Sequence, residues 1–400
     1  MRRYLTIAAI VIVIIGIGVA AYFYFFANKA SIAVIPTGSI NLPSAGLGAI
    51  ATTTNSSAEP STPIQISTRL MKISAGPVVL GEAVVDIPAR DASSSPDVAV
   101  NYIERQSGNV FSYLTHTGML TRTSNKTIPG IQSAAWLPDA SVAFVRYLSG
   151  DNFSTINTYA LPSVSSAISS GFFLPQNLSD IRVSSTSVLI LASGVNGSVA
   201  STVHLDGTRT SAVFSTPLSS LRISFAGKNQ YLAYTKPSVS LSGSAFLVNS
   251  SGHFSRIAGP LNGLIALASH SGKWTLISYT LNNAMQLELV DTTNGSVVPL
   301  PVATIADKCV WTADDSSVYC GIPMNPPSDS AYPDDWYQGV VQFSDRIWKI
   351  DVSGRFAQLV LDFPSETKTS LDAEALAIDP LNTTLVFVNK NDLSLWSYQL

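Results

Sequence analysis

The chain has 400 residues, only 12% of them charged, and a formal net charge of −3. An ordinary soluble domain carries about twice that share of charge, and no basic run occurs, so the electrostatic footprint of a nucleic-acid binder is missing. Ser, Thr, Val, Ala and Leu dominate instead, a mix that favours strands and turns over helices.

The first element is MRRYLTIAAIVIVIIGIGVAAYFYFFANKA. No charge falls between Leu5 and Ala27. At a helical rise that stretch spans roughly 34 Å, enough for a bilayer core. Arg2 and Arg3 lie in a short n-region (1–4), and the positive-inside rule keeps them in the cytoplasm. Tyr22, Phe23, Tyr24, Phe25 and Phe26 crowd the far end, where aromatic rings favour the interface. A cleaved signal peptide has a shorter apolar core and a small-residue exit. The expectation is therefore an uncleaved transmembrane anchor over 5–27, N-terminus inside, in a single-pass cell-membrane protein whose C-terminal domain is extracytoplasmic. Residues 28–68 follow as a Ser/Thr/Pro-rich linker. Between Lys29 and Arg69 its only charge is Glu59, and it has no apolar periodicity. Such a segment buries too little to offset its chain entropy and reads as a disordered tether.

From Arg69 onward a unit repeats: a short apolar strand, a polar turn, a second apolar strand. Copies are AAWLPDASVAFVRY (134–147), IRVSSTSVLILAS (181–193), LRISFAGKNQYLAY (221–234), IALASHSGKWTLISY (265–279), CVWTADDSSVYCG (309–321) and ALAIDPLNTTLVFV (375–388). Their spacing is about 41 to 47 residues, with one wider gap before the last, which matches a four-stranded propeller blade. Each copy is followed by a second hairpin, as in VASTVHLDGTRTSAVF (199–214) or SDRIWKIDVSGRFAQLVL (344–361), with turn residues at its tip. With VAVNYIERQSGNVFSYLTHTG (98–118), the count comes to about seven four-stranded blades in an all-β domain over 69–400. The last unit, ending NDLSLWSYQL, is one strand short, and RLMKISAG (69–76) is one strand over. Pairing the two closes the ring and removes open edges.

WLPDASVAFVRY and SHSGKWTLISY resemble the "SPDGK-strand" hairpin of PD40/WD40-like repeats in TolB-type β-propellers. Only Pro138-Asp139 keeps the Pro-Asp pair, and only 271–274 keeps Ser-Gly-Lys-Trp. The resemblance implies a propeller fold and a cell-envelope setting.

Cys309 and Cys320 are the only cysteines. If Trp311 faces Val318 across the turn, Cys309 faces Cys320, and directly opposed residues lie within reach of a disulfide. An extracytoplasmic location favours that clasp over a free buried pair. No further Cys and no neighbouring His exists for zinc, and there is no C-x-x-C redox pair.

The longest departure from the repeat is the insert at 322–344, IPMNPPSDSAYPDDWYQGVVQFS, between the second and third strands of one blade. It gathers Asp329, Tyr332, Asp334, Asp335, Trp336 and Tyr337. These residues suit a protein contact, sugar binding, or Ca²⁺ held by clustered Asp oxygens; alternatively the loop folds onto its own blade and buries the aromatics. No other cofactor is expected. The histidines, His116, His204, His253 and His270, are scattered, and no G-x-S-x-G or Walker string occurs. Eight N-x-[ST] strings, including Asn125, Asn152, Asn196 and Asn294, are unremarkable in so Ser/Thr-rich a chain. The leading expectation is a non-catalytic recognition or scaffold module for a protein or envelope polymer. The alternatives are an envelope enzyme acting on glycans, with acidic residues converging at the central channel, and a purely structural envelope protein. Convergent Asp, Glu or Arg at the channel would favour the enzyme; an apolar or Ser/Thr lining would favour binding.

Overall fold

Strands that pack sheet against sheet are buried on both faces, so their sequences read as continuous apolar runs rather than as alternation. TLVFVN at Thr384–Asn389 and SVYCGIP at Ser317–Pro323 are buried at every position. That packing accounts for a hydrophobic share of 46% beside so few charges. The computed structural model describes residues 69–89, 95–124, 128–163 and 170–400. The n-region, the anchor expected at 5–27 and the linker to residue 68 lie outside them. Among the described residues no helix is long and apolar enough to cross a membrane.

Seven antiparallel sheets form a seven-bladed β-propeller. After β1 (Leu70–Lys72), blade 1 holds β2 (Ala83–Ile87), β3 (Asp97–Ile103), β4 (Val110–Leu114) and β5 (Leu120–Arg122). Blade 2 holds β6 (Ile131–Trp136), β7 (Val142–Ser149) and β8 (Thr155–Pro162); blade 3 holds β9 (Leu178–Val183), β10 (Ser187–Gly194), β11 (Gly197–His204) and β12 (Thr210–Thr216). Blade 4 is β13 (Leu221–Phe225), β14 (Gln230–Thr235), β15 (Ser242–Asn249) and β16 (Phe254–Asn262). Blade 5 is β17 (Ile265–Ala268), β18 (Trp274–Leu281), β19 (Ala284–Asp291) and β20 (Val297–Pro299). Blade 6 is β21 (Cys309–Trp311), β22 (Ser317–Pro323), β23 (Asp345–Asp351) and β24 (Phe356–Asp362). Blade 7 is β25 (Ala373–Ile378), β26 (Thr384–Asn389) and β27 (Ser394–Gln399), completed by β1.

The first strand of each blade lines the axis and meets its neighbours: β6 meets β9, β9 meets β13, β13 meets β17, and β21 meets β25. Separate apolar clusters fill the gaps between sheets, for example Val100, Val386 and Val388 between blades 1 and 7. The ring closes as expected: Leu70 pairs with Tyr398, Met71 with Ser397 and Lys72 with Trp396. Blade 2 departs from expectation. Its fourth strand is reduced to one bridge, Tyr159 to Phe173, so 153–163 supplies one strand rather than a hairpin.

Two glycine positions show how tightly blades approach. A Cβ on Gly227 would lie 2.1 Å from the Ser271 carbonyl oxygen, and one on Gly272 would lie 2.2 Å from that of Ala226. Both have positive φ, where only glycine is unstrained. The Gly of Ser-Gly-Lys-Trp is thus half of an inter-blade contact. Cys309 lies directly opposite Cys320 and the two form a disulfide, with Cα atoms 4.1 Å apart.

Candidate functional site

In a four-stranded antiparallel blade, the turn between second and third strands and the connection to the next blade share one face. The other two turns share the opposite face. The insert is a second-to-third connection. Its base is closed by the Met324 amide donating to the Ser344 carbonyl at 2.9 Å. A short helix, α1 (Asp334–Tyr337), sits within it. The insert is held to several blades. The Asp334 carboxylate accepts from the Val239 amide of blade 4 at 2.6 Å, and the Tyr332 carbonyl accepts from the Thr280 hydroxyl of blade 5 at 2.7 Å. Asp335 accepts from the Ala331 amide within the insert at 2.7 Å. Tyr332 and Trp336 are each 2% exposed, whereas Asp329 is exposed.

Trp336 is fixed by a buried ionic centre. Its Nε1 donates to both oxygens of Asp372, at 3.2 and 3.1 Å, and its ring stacks on Phe343. Lys308, wholly buried, sits between Asp372 and Asp345, with Nζ 2.7 Å from the latter. One lysine against two carboxylates leaves one buried negative charge. Burial pushes the Asp345 carboxyl up to about 6, with Asp372 adding and Lys308 opposing.

Beside the insert, a cavity of about 750 Å³ opens around the axis. Ser219 and Ser220 ahead of β13, Lys236 after β14 and Lys390 after β26 all line it, which places its mouth on the same face as the insert. Of the six insert residues singled out from sequence, only Trp336 and Tyr337 line it. Three arginines come from three consecutive blades: Arg146 on β7, Arg182 on β9 and Arg222 on β13. With Lys236 and Lys390 they make five cations against the three carboxylates of Asp180, Asp307 and Glu374.

Each of those carboxylates is engaged. Asp180 accepts from the Ile181 amide at 2.9 Å and, across to blade 4, from the Ile223 amide at 3.0 Å, with Arg182 Nη1 at 3.4 Å. Asp307 accepts from the Tyr337 hydroxyl at 2.6 Å and lies 3.5 Å from Arg222 Nη1. Glu374 lies 3.5 Å from Lys390 Nζ, and burial raises its pKa. Burial, with Asp307 adding, holds the Tyr337 phenol well above its ordinary value. Arg146 donates to the Leu178 carbonyl but keeps a shielded Nε without a partner. The lining therefore has cationic excess and guanidinium forks suited to carboxylate or phosphate. Serines 133, 179, 193, 219 and 220 add hydroxyls.

Glu82 lies at the cavity's edge, next to Gly81. A Cβ on Gly81 would meet the Ala134 oxygen at 1.9 Å, so only glycine allows β6 to approach there. Both Glu82 carboxyl oxygens are enclosed without a hydrogen bond of ordinary geometry. Burial, with the charge of Glu374 adding, pushes this carboxyl up to about 8. The histidines are elsewhere: His204 closes β11, and His116, His253 and His270 sit between strands, all toward the opposite face. Among the described residues no group of three or more His, Cys, Asp or Glu could hold a metal ion.

The cavity residues escape sequence reading because each contributing blade supplies only one or two of the charged side chains. A faint signal exists. IRVS and LRIS place Arg182 and Arg222 at the same point of the repeat, and no other innermost strand carries a basic residue.

No protein-family model matches the sequence, and no curated protein is found to be related to it. Solved structures share the fold. An oligogalacturonate lyase from Vibrio parahaemolyticus superposes with a TM-score of 0.54 at 7% identity, covering 82% of this chain and 93% of that one. Hydrazine synthase of Kuenenia stuttgartiensis gives 0.52 at 12% identity, covering 82% and 97%. An oligogalacturonate lyase in complex with manganese gives 0.50 at 8%, covering 80% and 98%. At such identities the similarity speaks for the fold alone.

Proposed function

We propose that this chain is an envelope recognition module of the TolB-like kind, anchored through residues 5–27, whose propeller captures an anionic ligand in the axial cavity. One observation carries the reading: five cations converge there from blades 2, 3, 4 and 7, against three carboxylates that are each already engaged, which leaves two positive charges in excess. β1 runs antiparallel to β27, so the chain enters at the face opposite the cavity.

Charged convergence at the axis also favours a second reading, an enzyme acting on acidic glycans. Commitment of the carboxylates, and a Tyr337 phenol held protonated by burial, argue for binding over proton transfer. Calorimetric titration with oligogalacturonate, polyglutamate and a neutral oligosaccharide tests both. Recognition requires binding of at least one polyanion, weakened by salt and by about tenfold in Arg146→Gln/Arg222→Gln. Equal affinity for the neutral chain, or no response to the arginine changes, would overturn it. Shortening of the oligogalacturonate by the protein, lost in the same variant, would establish the enzyme.

A further inference from the structure

The cavity face has a second chemistry that anion binding does not use. Phe153, Val195, Leu241, Leu281 and Val340 are 71, 99, 71, 53 and 70% exposed. Each lies at the connection between second and third strands, in blades 2, 3, 4, 5 and 6 in turn. Five consecutive blades thus raise an apolar side chain on the face where the cavity opens. On the opposite face the turns are capped by Asp with Ser or Thr two residues on, as at 139–141, 206–208, 291–293 and 314–316. Met119, Leu120, Val297, Phe356 and Leu381 are the exposed large apolar residues of that face, away from the cationic cavity. Single exposed apolar residues need no explanation, but a set grouped around a charged mouth marks a contact surface.

We propose that the cavity face docks a protein segment that is both acidic and apolar. Its carboxylates enter the cavity, and its apolar side chains rest on the crown of Phe153, Val195, Leu241, Leu281 and Val340. The inference rests on the anion-binding reading and narrows it. A uronate chain or free phosphate answers the cations but has no aliphatic groups for the crown. A neutral apolar protein answers the crown but leaves the cationic excess of the cavity uncompensated. An anionic bilayer offers both, yet its headgroups stay in a plane, and Arg146, Arg182 and Arg222 sit within strands rather than in the connections that carry the crown; the upstream chain also enters at the other face. An acidic segment with apolar neighbours matches charge and crown together.

The test uses the purified full chain and four probes: a short peptide of alternating Glu and Leu, polyglutamate of equal length, oligogalacturonate, and vesicles containing phosphatidylglycerol. The Leu241→Ser/Leu281→Ser variant changes only exposed crown positions. The Glu/Leu peptide is expected to bind more tightly than polyglutamate, and the crown variant to weaken it about tenfold while leaving polyglutamate unchanged. If both peptides bind equally and the crown variant moves neither, or if oligogalacturonate alone binds, the protein-segment proposal fails and anion capture stands. If vesicles bind through the crown and the peptide does not, the face is a membrane surface and the proposal fails. If no anion binds, both readings fall.

Discussion

The two faces of the propeller use acidic residues in opposite ways. On the face where the chain enters, aspartates cap turns locally. Asp206 accepts from the amide and hydroxyl of Thr208, Asp291 from those of Thr293, and Asp314 from those of Ser316. These bonds favour the ionised form, and the Asp206 carboxyl is drawn down to about 2, first by the Thr208 hydroxyl. On the cavity face the partners are far away in sequence. Asp180 reaches Ile223, Asp307 reaches Tyr337, Asp334 reaches Val239, and Asp372 holds Trp336. A local cap builds a turn wherever its motif occurs. A distant pair exists only once the blades have assembled, so the cavity face leans on that assembly more heavily than the entry face, where local caps stand beside cross-blade bonds such as those of Asp315 to the His270 and Ser271 amides.

Breaking the Lys308 centre is the most direct challenge to that contrast, and it carries the largest expected effect. Lys308→Met removes the only cation facing Asp345 and Asp372 in the interior. Stranding buried charge costs about 3–5 kcal/mol. Asp372 also holds the Trp336 indole and the Phe343 amide, so the insert should loosen with it. Denaturant unfolding of the variant should show the loss, with polyanion binding weakened in the same sample. A stability loss of under about 1 kcal/mol, within the range of an ordinary surface change, would mean that the insert is held by packing alone.

Glu82 gives the next effect, with a sign opposite to that of the turn aspartates. Its carboxyl is raised to about 8 in the folded chain, above the ordinary value of 4.5. The folded state therefore holds a proton that the unfolded state gives up. This contribution is fully present below about pH 4.5 and is lost as pH rises toward 8, with a slope approaching 1.4 kcal/mol per pH unit. Asp345 acts in the same direction up to about 6. The Asp206 carboxyl works the other way: its contribution is present above its ordinary value of 3.8 and is lost as pH falls toward 2. Melting temperatures of the parent and Glu82→Gln between pH 5 and 8 separate the groups. The parent should lose stability across that window and the variant should lose much less. Parallel curves would remove Glu82 from the account.

The same contrast explains what could be read in advance. The repeat, the ring closure by Leu70–Lys72 and the Cys309–Cys320 pairing all follow from local pattern and register. Polar turns were visible because Asp-x-Ser/Thr satisfies itself within a few residues. The insert was visible as excess length, and its six chosen residues were the chemically rich ones. Yet Tyr332, Asp334, Asp335 and Trp336 turn out to bond or pack within the protein, and only Tyr337 joins Trp336 at the cavity wall. Arg146, Arg182, Arg222 and Glu374 were not legible as a site, because nothing in a linear chain brings blades 2, 3, 4 and 7 to one point. Glu82 was still less visible, since its altered chemistry comes from enclosure.

The disulfide offers the smallest and sharpest test. It ties the first residue of β21, two positions after Asp307, to the middle of β22, and Cys320 is wholly buried. The loop it closes is short, so its loss should cost about 2–3 kcal/mol, mostly through a freer unfolded chain. Cys309→Ala/Cys320→Ala suits the measurement, because serine would add an unpaired hydroxyl to the core. If the clasp acts only by restraining the unfolded chain, the variant should unfold at lower denaturant while binding polyanions with unchanged affinity. Weaker binding would show that the clasp also sets the geometry of the cavity, through Asp307 two positions before β21 and the Tyr337 hydroxyl that Asp307 holds.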